Sequence, residues 1–198
     1  MSQLSITTRF QAKNAEFALT PAEIRRVLRH APSHRDRLLV EVIAYTGMRR
    51  AEARLLRSED IDLAGRRVLI RHGKGGKARI VYLPHATTRR LRSLLRRTGG
   101  YVFPGRSGKP MSLRNINYIF RDLGERAGIA NPNPRYSGLT PHLFRHSFAR
   151  NWKRAGGSLE SLQRILGHNS LKTTLDVYGT ESQWDIERNY HAVIRAIV

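Results

Sequence analysis

The sequence predicts a mainly α-helical protein with a small antiparallel β-sheet, an α+β fold, and three observations carry that expectation. Apolar residues recur at helical spacing behind local start signals, the clearest being Thr20-Pro21-Ala22-Glu23, a capping box with proline at the first helical position. Two runs rich in β-branched residues, Arg67–Arg71 and Arg79–Leu83, flank the glycine-rich turn Gly73-Lys74-Gly75-Gly76-Lys77. No apolar run is long enough to span a bilayer, while 40% hydrophobic residues are ample for one core.

In chain order, residues 1–18 show no period and read as an N-terminal arm or the end of a linker. The helix opened by Thr20 presents Ile24, Val27 and Leu28 on one face. Ser33 and Asp36 open a second helix, which Leu38, Leu39, Val42, Ile43 and Tyr45 make largely buried and Gly47 stops. A helix restarts near Arg50 with Ala53, Leu55 and Leu56 toward the core, which places Arg49 at a junction between two packed helices. Pro84 closes the sheet, and His85–Arg97 reads as a basic helix with Leu91, Leu94 and Leu95 inside. Tyr101–Phe103 is a short strand-like piece in a turn-rich connection. Ser112 caps a helix carrying Leu113, Ile116, Ile119, Phe120 and Leu123. Thr140 and Pro141 start another, and a helix near Leu159–Leu166 stops at Gly167. Trp184, Tyr190, Val193, Ile194 and Ile197 form an apolar stripe in a last helix, 181–198.

The charge narrows the function classes. Lys and Arg number 36 against 15 Asp and Glu, a formal net charge of +21. Self-repulsion on that scale calls for an acidic polymer partner, DNA or RNA, or an anionic surface. The membrane option is weak, because spanning, signal-peptide and lipidation patterns are not seen in the sequence. A chain with no cysteine has no disulfides and no thiolate metal sites. A cytoplasmic, nucleoid-associated protein is the simplest expectation.

The chemistry concentrates in Thr140–Tyr178. His142 and Arg145, three apart, share a helix face; His168 follows the Gly167 stop; Tyr178 stands ten positions later. An Arg fork matches a phosphate, His hydrogen-bonds an oxyanion or moves a proton near neutral pH, and Tyr serves as a covalent nucleophile. Taken singly, each has a blander reading: a helix-start His, a His after a helix stop, a half-buried aromatic. His146, one turn from His142, is eligible on spacing alone.

Five segments in order decide the matter. "TPHLFRHSFA", "LGH" and "TTLDVYG", with "YTGMRRAEARLL" and "GKGGKARIVYLP" upstream, resemble the boxes of the tyrosine recombinases, the phage integrase family. The likeness runs from Leu19 to the surroundings of Tyr178, nearly the whole chain. It implies a tyrosine recombinase catalytic domain over 19–180, with 181–198 docking on a neighbouring protomer. It implies Arg49, Lys74, His142, Arg145, His168 and Tyr178 as catalytic residues, with Glu52 as a supporting acid that orients the arginine or a base. Lys77 competes with Lys74 but better fits a phosphate contact, and Lys77 and Arg79 are assigned to the DNA backbone.

The implied reaction is attack by Tyr178 on a scissile phosphate of double-stranded DNA, giving a 3′-phosphotyrosyl link. It uses no cofactor, metal or ATP and runs in a homo-tetramer. The division of proton transfer between His142 and His168 stays open. Two rival classes are a type IB topoisomerase-like nicking-closing enzyme, whose relatives typically carry Lys where His142 stands, and a non-catalytic DNA-binding protein, which predicts loss of a box residue. Fewer than twenty residues precede the first helix, so the extra helical domain that family members usually carry is not expected within this chain.

Overall fold

The computed structural model describes residues 17–71, 78–96 and 100–168. Seven helices and one sheet occupy these residues: α1 (Pro21–Arg29), α2 (His34–Thr46), α3 (Arg50–Leu55), strands β1 (Ile61–Asp62), β2 (Arg67–Ile70) and β3 (Arg79–Tyr82), then α4 (His85–Leu95), α5 (Leu113–Ala127), α6 (Pro141–Arg154) and α7 (Leu159–Leu166). A single 3-10 turn, Ser58–Asp60, leads into β1. The expected mainly helical fold with a small antiparallel sheet is present.

Local signals start and stop the helices. The Thr20 hydroxyl accepts from Glu23 N–H at 3.2 Å, and the Glu23 carboxylate takes Thr20 N–H at 2.7 Å, so two otherwise orphaned donors are paired. Ser33, Ser112, Thr140 and Ser158 cap α2, α5, α6 and α7 in the same single-sided way. Gly47 ends α2 and Gly167 ends α7, each left-handed (φ +63° and +65°).

Helix α2 runs through the core. Leu38, Leu39, Val40, Val42 and Ile43 are fully buried, and α6, α4, α1 and α3 pack around it. Its buried Glu41 accepts from Thr87 and Arg90 of α4 at 3.0 and 2.7 Å, so the carboxylate fastens α4 to α2. Phe120 of α5 meets Phe144 of α6 edge to face, centroids 5.0 Å apart. The incoming chain is pinned to α6 where Leu19 N–H donates to the Ser147 hydroxyl (2.8 Å) and Asn151 donates to the Leu19 carbonyl (3.0 Å). Among the described residues no helix is long and apolar enough to cross a membrane.

The sheet runs β1-β2-β3, antiparallel throughout, with Val68 opposite Val81 and Ile70 opposite Arg79. Val68, Ile70 and Val81 face inward; Leu69, Ile80 and Tyr82 face out. Two local expectations differ. Leu55 is 41% exposed rather than in the core, while Ala53 and Leu56 on either side of it are buried. Tyr101–Phe103 forms no strand: Tyr101 makes one bridge to Arg57, Val102 N–H bonds the Leu56 carbonyl, and Val102 and Phe103 plug the core.

Candidate active site

The site begins at two helix stops. Gly47 turns the chain out of α2 in the left-handed conformation, and Met48, fully buried, anchors the next step. Arg49 therefore leaves the core in a fixed direction as the residue capping α3. Glu52, at the third position of α3, accepts Arg49 N–H at 2.7 Å and an Arg49 guanidinium N–H at 3.1 Å. The carboxylate thus pairs an orphan donor and sits at the positive end of the helix.

Helix α6 supplies the next two groups. Arg145 is 6% exposed. Its Nη1 donates to the Gly47 carbonyl at 2.5 Å and its Nη2 to the Leu166 carbonyl at 2.8 Å, so one side chain joins the ends of α2 and α7. Nη2 also lies 3.2 Å from His168 Nε2. A guanidinium only donates, so a hydrogen bond here uses the Nε2 lone pair as acceptor. His168 is fixed from the backbone side too: its N–H bonds the Gln163 carbonyl, and its carbonyl accepts from the Gln163 side chain. His142, one turn before Arg145, sits on an exposed stretch of the same wall.

Arg49, His142, Arg145 and His168 come from three segments of the chain and line one groove of about 1040 Å³. His146 lines it as well, so geometry does not exclude that second histidine. The opposite wall is Arg114, Asn117, Tyr118 and Arg121 of α5, with Tyr136 and Arg50. Sequence reading did not single out that wall. Its signal was present: Arg114, Asn117 or Tyr118, and Arg121 recur at helical spacing opposite the buried Ile116, Phe120 and Leu123. Arg50 of α3 donates to Asn117 of α5 at 2.8 Å and fastens these two helices at the groove.

The electrostatics are one-sided. His142 stays largely open to solvent, but the surrounding groove desolvates its ring in part; that first, then the charges of Arg145 and Arg50, hold the imidazole below its ordinary range. Burial by itself would push the Glu52 carboxyl up. The bonds from Arg79 and the Arg49 N–H, with both positive charges, overcome it and leave the carboxyl below its usual value. A groove of guanidiniums and imidazoles, with its acid buried behind, suits an anion that builds charge on non-bridging oxygens.

Arg79, assigned from the sequence to the DNA backbone, is placed otherwise. Its side chain is 9% exposed and points inward from β3, where both terminal nitrogens meet Glu52 at 2.8 and 2.7 Å and Nε meets the Ile165 carbonyl at 2.8 Å. A guanidinium so held is not presented to a duplex. Lys74, Lys77 and Tyr178 lie outside the described residues.

Comparison with known proteins places the family and the fold. Tyrosine recombinase XerA of Thermococcus kodakarensis is 33% identical over 165 residues, covering 79% of this chain and 56% of that protein. The crystal structure of a XerA recombinase superposes with a TM-score of 0.73 at 32% identity, over 88% of this chain and 64% of that one. The XerH site-specific recombinase, solved bound to its difH substrate before cleavage, gives a TM-score of 0.73 at 26% identity, over 88% of this chain and 53% of that one. The chain spans about half the length of the curated relatives it matches. Residues 18–183 match the profile of the phage integrase family; with that span, and with guanidiniums and imidazoles gathered in one groove, the chain belongs to the phage integrase family.

Proposed function

We propose that the chain is the catalytic part of a site-specific recombinase that cuts and rejoins double-stranded DNA through a phosphotyrosyl intermediate. The observation that carries the reading is the convergence of Arg49, His142, Arg145 and His168 on one groove. Residues 19–180 form the catalytic domain in this reading, and 181–198 dock on a neighbouring copy in a tetramer on DNA.

In the reaction, the Tyr178 phenolic oxygen forms a bond to the scissile phosphorus and the 5′-oxygen departs, leaving a 3′-phosphotyrosyl bond and a 5′-hydroxyl. Attack by a second 5′-hydroxyl releases the tyrosine and joins new strands. The phosphodiester bond is exchanged rather than hydrolysed, so no energy source enters. Arg49 and Arg145 offset charge on the non-bridging oxygens. Lys74 protonates the departing oxygen as general acid. His142 and His168 hydrogen-bond the phosphate, and a neutral imidazole is also fit to take the phenolic proton. XerH bound to its difH substrate supports a duplex as the ligand, as does the net charge of +21.

The test is a covalent trap. A pool of nicked suicide duplexes drawn from DNA flanking the gene is incubated with wild type and with Tyr178→Phe. The expected result is a denaturant-resistant adduct with wild type only, while both proteins bind the duplex. Binding without an adduct, repeated with the longest native reading frame, would refute the reading. Relaxation of supercoiled DNA without strand exchange would move the chain to the nicking-closing class.

A further inference from the structure

Arg79 opens β3 directly after residues 72–77 and shares the inward face of that strand with the buried Val81. It uses its whole fork at once: Nη1 and Nη2 on the two oxygens of Glu52, Nε on the Ile165 carbonyl. Two consequences follow from the geometry.

The first concerns charge. Glu52 is 4% exposed, and a buried carboxylate must be paired. If Arg49 were its sole partner, the carboxylate would claim that guanidinium outright. With Arg79 supplying the bidentate pair at 2.7 and 2.8 Å, Arg49 gives Glu52 only its backbone N–H and one longer 3.1 Å bond. The Arg49 side chain then stays 30% exposed in the groove. Two cations against one anion leave a net positive charge there.

The second concerns position. The last carbonyls of a helix lack intrahelical partners. In α7, two successive ones are taken by arginines from elsewhere: Ile165 by Arg79 and Leu166 by Arg145. A Cβ on Gly167 would lie 2.9 Å from Arg79 Cδ, so the fit at this helix end is close. Arg79 thereby touches the α3 side of the groove, through Glu52, and the α7 side that carries His168.

We propose that Arg79 is a positioning residue for the recombinase reaction, holding Glu52 so that Arg49 keeps donors for the phosphate and bracing the α7 end that carries His168. The inference rests on the function proposed above and replaces the phosphate contact expected from sequence.

The test compares Arg79→Gln, Arg79→Lys, Glu52→Gln and the Arg79→Gln/Glu52→Gln pair in the full chain. Two readouts are taken: affinity for a non-specific duplex against salt, and the rate of adduct formation on the trapping substrate. Arg79→Gln is expected to leave the log–log salt slope unchanged while slowing adduct formation roughly 30-fold or more, with only about a threefold further loss in the Glu52→Gln background. A slope that falls by about 1, with adduct formation intact, would make Arg79 an ordinary phosphate contact and overturn the proposal. Equal losses in both backgrounds would also overturn it. Thermal melts check folding, and if Arg79→Gln does not fold, Arg79→Lys carries the same comparison. If wild type forms no adduct, the recombinase reading fails by itself. The role of Arg79 is then judged by the salt slope and by carbon-13 titration of Glu52, which must move to higher pH in the variant; an unmoved titration sinks the proposal.

Discussion

Gly47→Ala tests whether the groove depends on the seam between the ends of α2 and α7. Gly47 has φ +63°, and an added Cβ would lie 2.7 Å from both Leu166 Cδ2 and Phe148 Cδ1. The left-handed backbone costs an L-residue about 1–2 kcal/mol. Forcing a methyl into the packed Phe148–Leu166 contact adds about 1–3 kcal/mol. The sum, about 2–5 kcal/mol, corresponds at this chain length to a fall in Tm of roughly 2–4 °C for each kcal/mol. The structure provides its own control. Gly128 ends α5 with φ +60°, and its added Cβ would meet only the end of the Arg26 side chain at 3.4 Å. Gly128→Ala thus carries the backbone cost alone, about 1–2 kcal/mol. Calorimetric or circular-dichroism melts of the two variants give the packing cost as their difference. Pushing Leu166 from Gly47 also stretches the bridge that Arg145 makes between their carbonyls. Adduct formation should therefore fall in Gly47→Ala more than in Gly128→Ala. Equal Tm losses in the two alanines would refute the reasoning, since the seam would then impose no packing constraint.

Two further outcomes follow from the same groove. In Arg145→Lys, one ammonium replaces a fork that reaches two carbonyls and His168. A buried carbonyl left unpaired costs about 1–3 kcal/mol, and adduct formation is expected to fall about 100-fold or more; a rate within about threefold of wild type would count against it. His142 is held below its ordinary value, so over the window from that lowered value up to about 6.5 the unfolded chain binds more protons than the folded one. Its contribution to stability therefore rises with pH through that window and is lost on acidification. Proton–carbon NMR should show the ring titrating below 6.5, and His142→Asn should flatten that part of a urea-unfolding pH profile; titration at or above 6.5 contradicts the environment described.

Much of this was legible in the sequence, because helix ends are local chemistry. A hydroxyl at Thr20, Ser112 or Thr140 and a glycine at 47 or 167 each act on a backbone group a few residues away, and the structure uses all five where expected. Leu55 and Tyr101–Phe103 were not legible, because their surroundings come from non-local partners. Arg79 falls between these cases. The strand's period of two, with Val81 inside and Ile80 and Tyr82 outside, already assigns position 79 to the inner face. A basic residue beside a lysine-bearing turn invited the opposite reading.

Arg79 also shows why the roles of single arginines in such a chain resist sequence reading. With 36 basic and 15 acidic residues, most cations have no carboxylate to meet. Besides exposed pairs such as Arg67–Asp62 and Arg164–Glu160, the strongest pairings lie where the fold buries its acids. Glu41, Glu52 and Asp60 are all nearly inaccessible, and each takes an arginine from another element: Arg90, Arg79 and Arg71. A buried carboxylate is costly unless paired, so these three acids have first claim on the surrounding guanidiniums. Their partners carry little net charge outward. The field in the groove is set instead by Arg49, Arg50 and Arg145, joined by Arg114 and by Arg121, whose carboxylate partner Glu125 is exposed and 3.8 Å away; the bonds of Arg50 and Arg145 named above run to neutral acceptors, and Arg49 meets an acid that Arg79 already holds. The groove is positive because the acids are spent elsewhere in the fold, a distribution fixed by tertiary burial rather than by the count of charges along the chain.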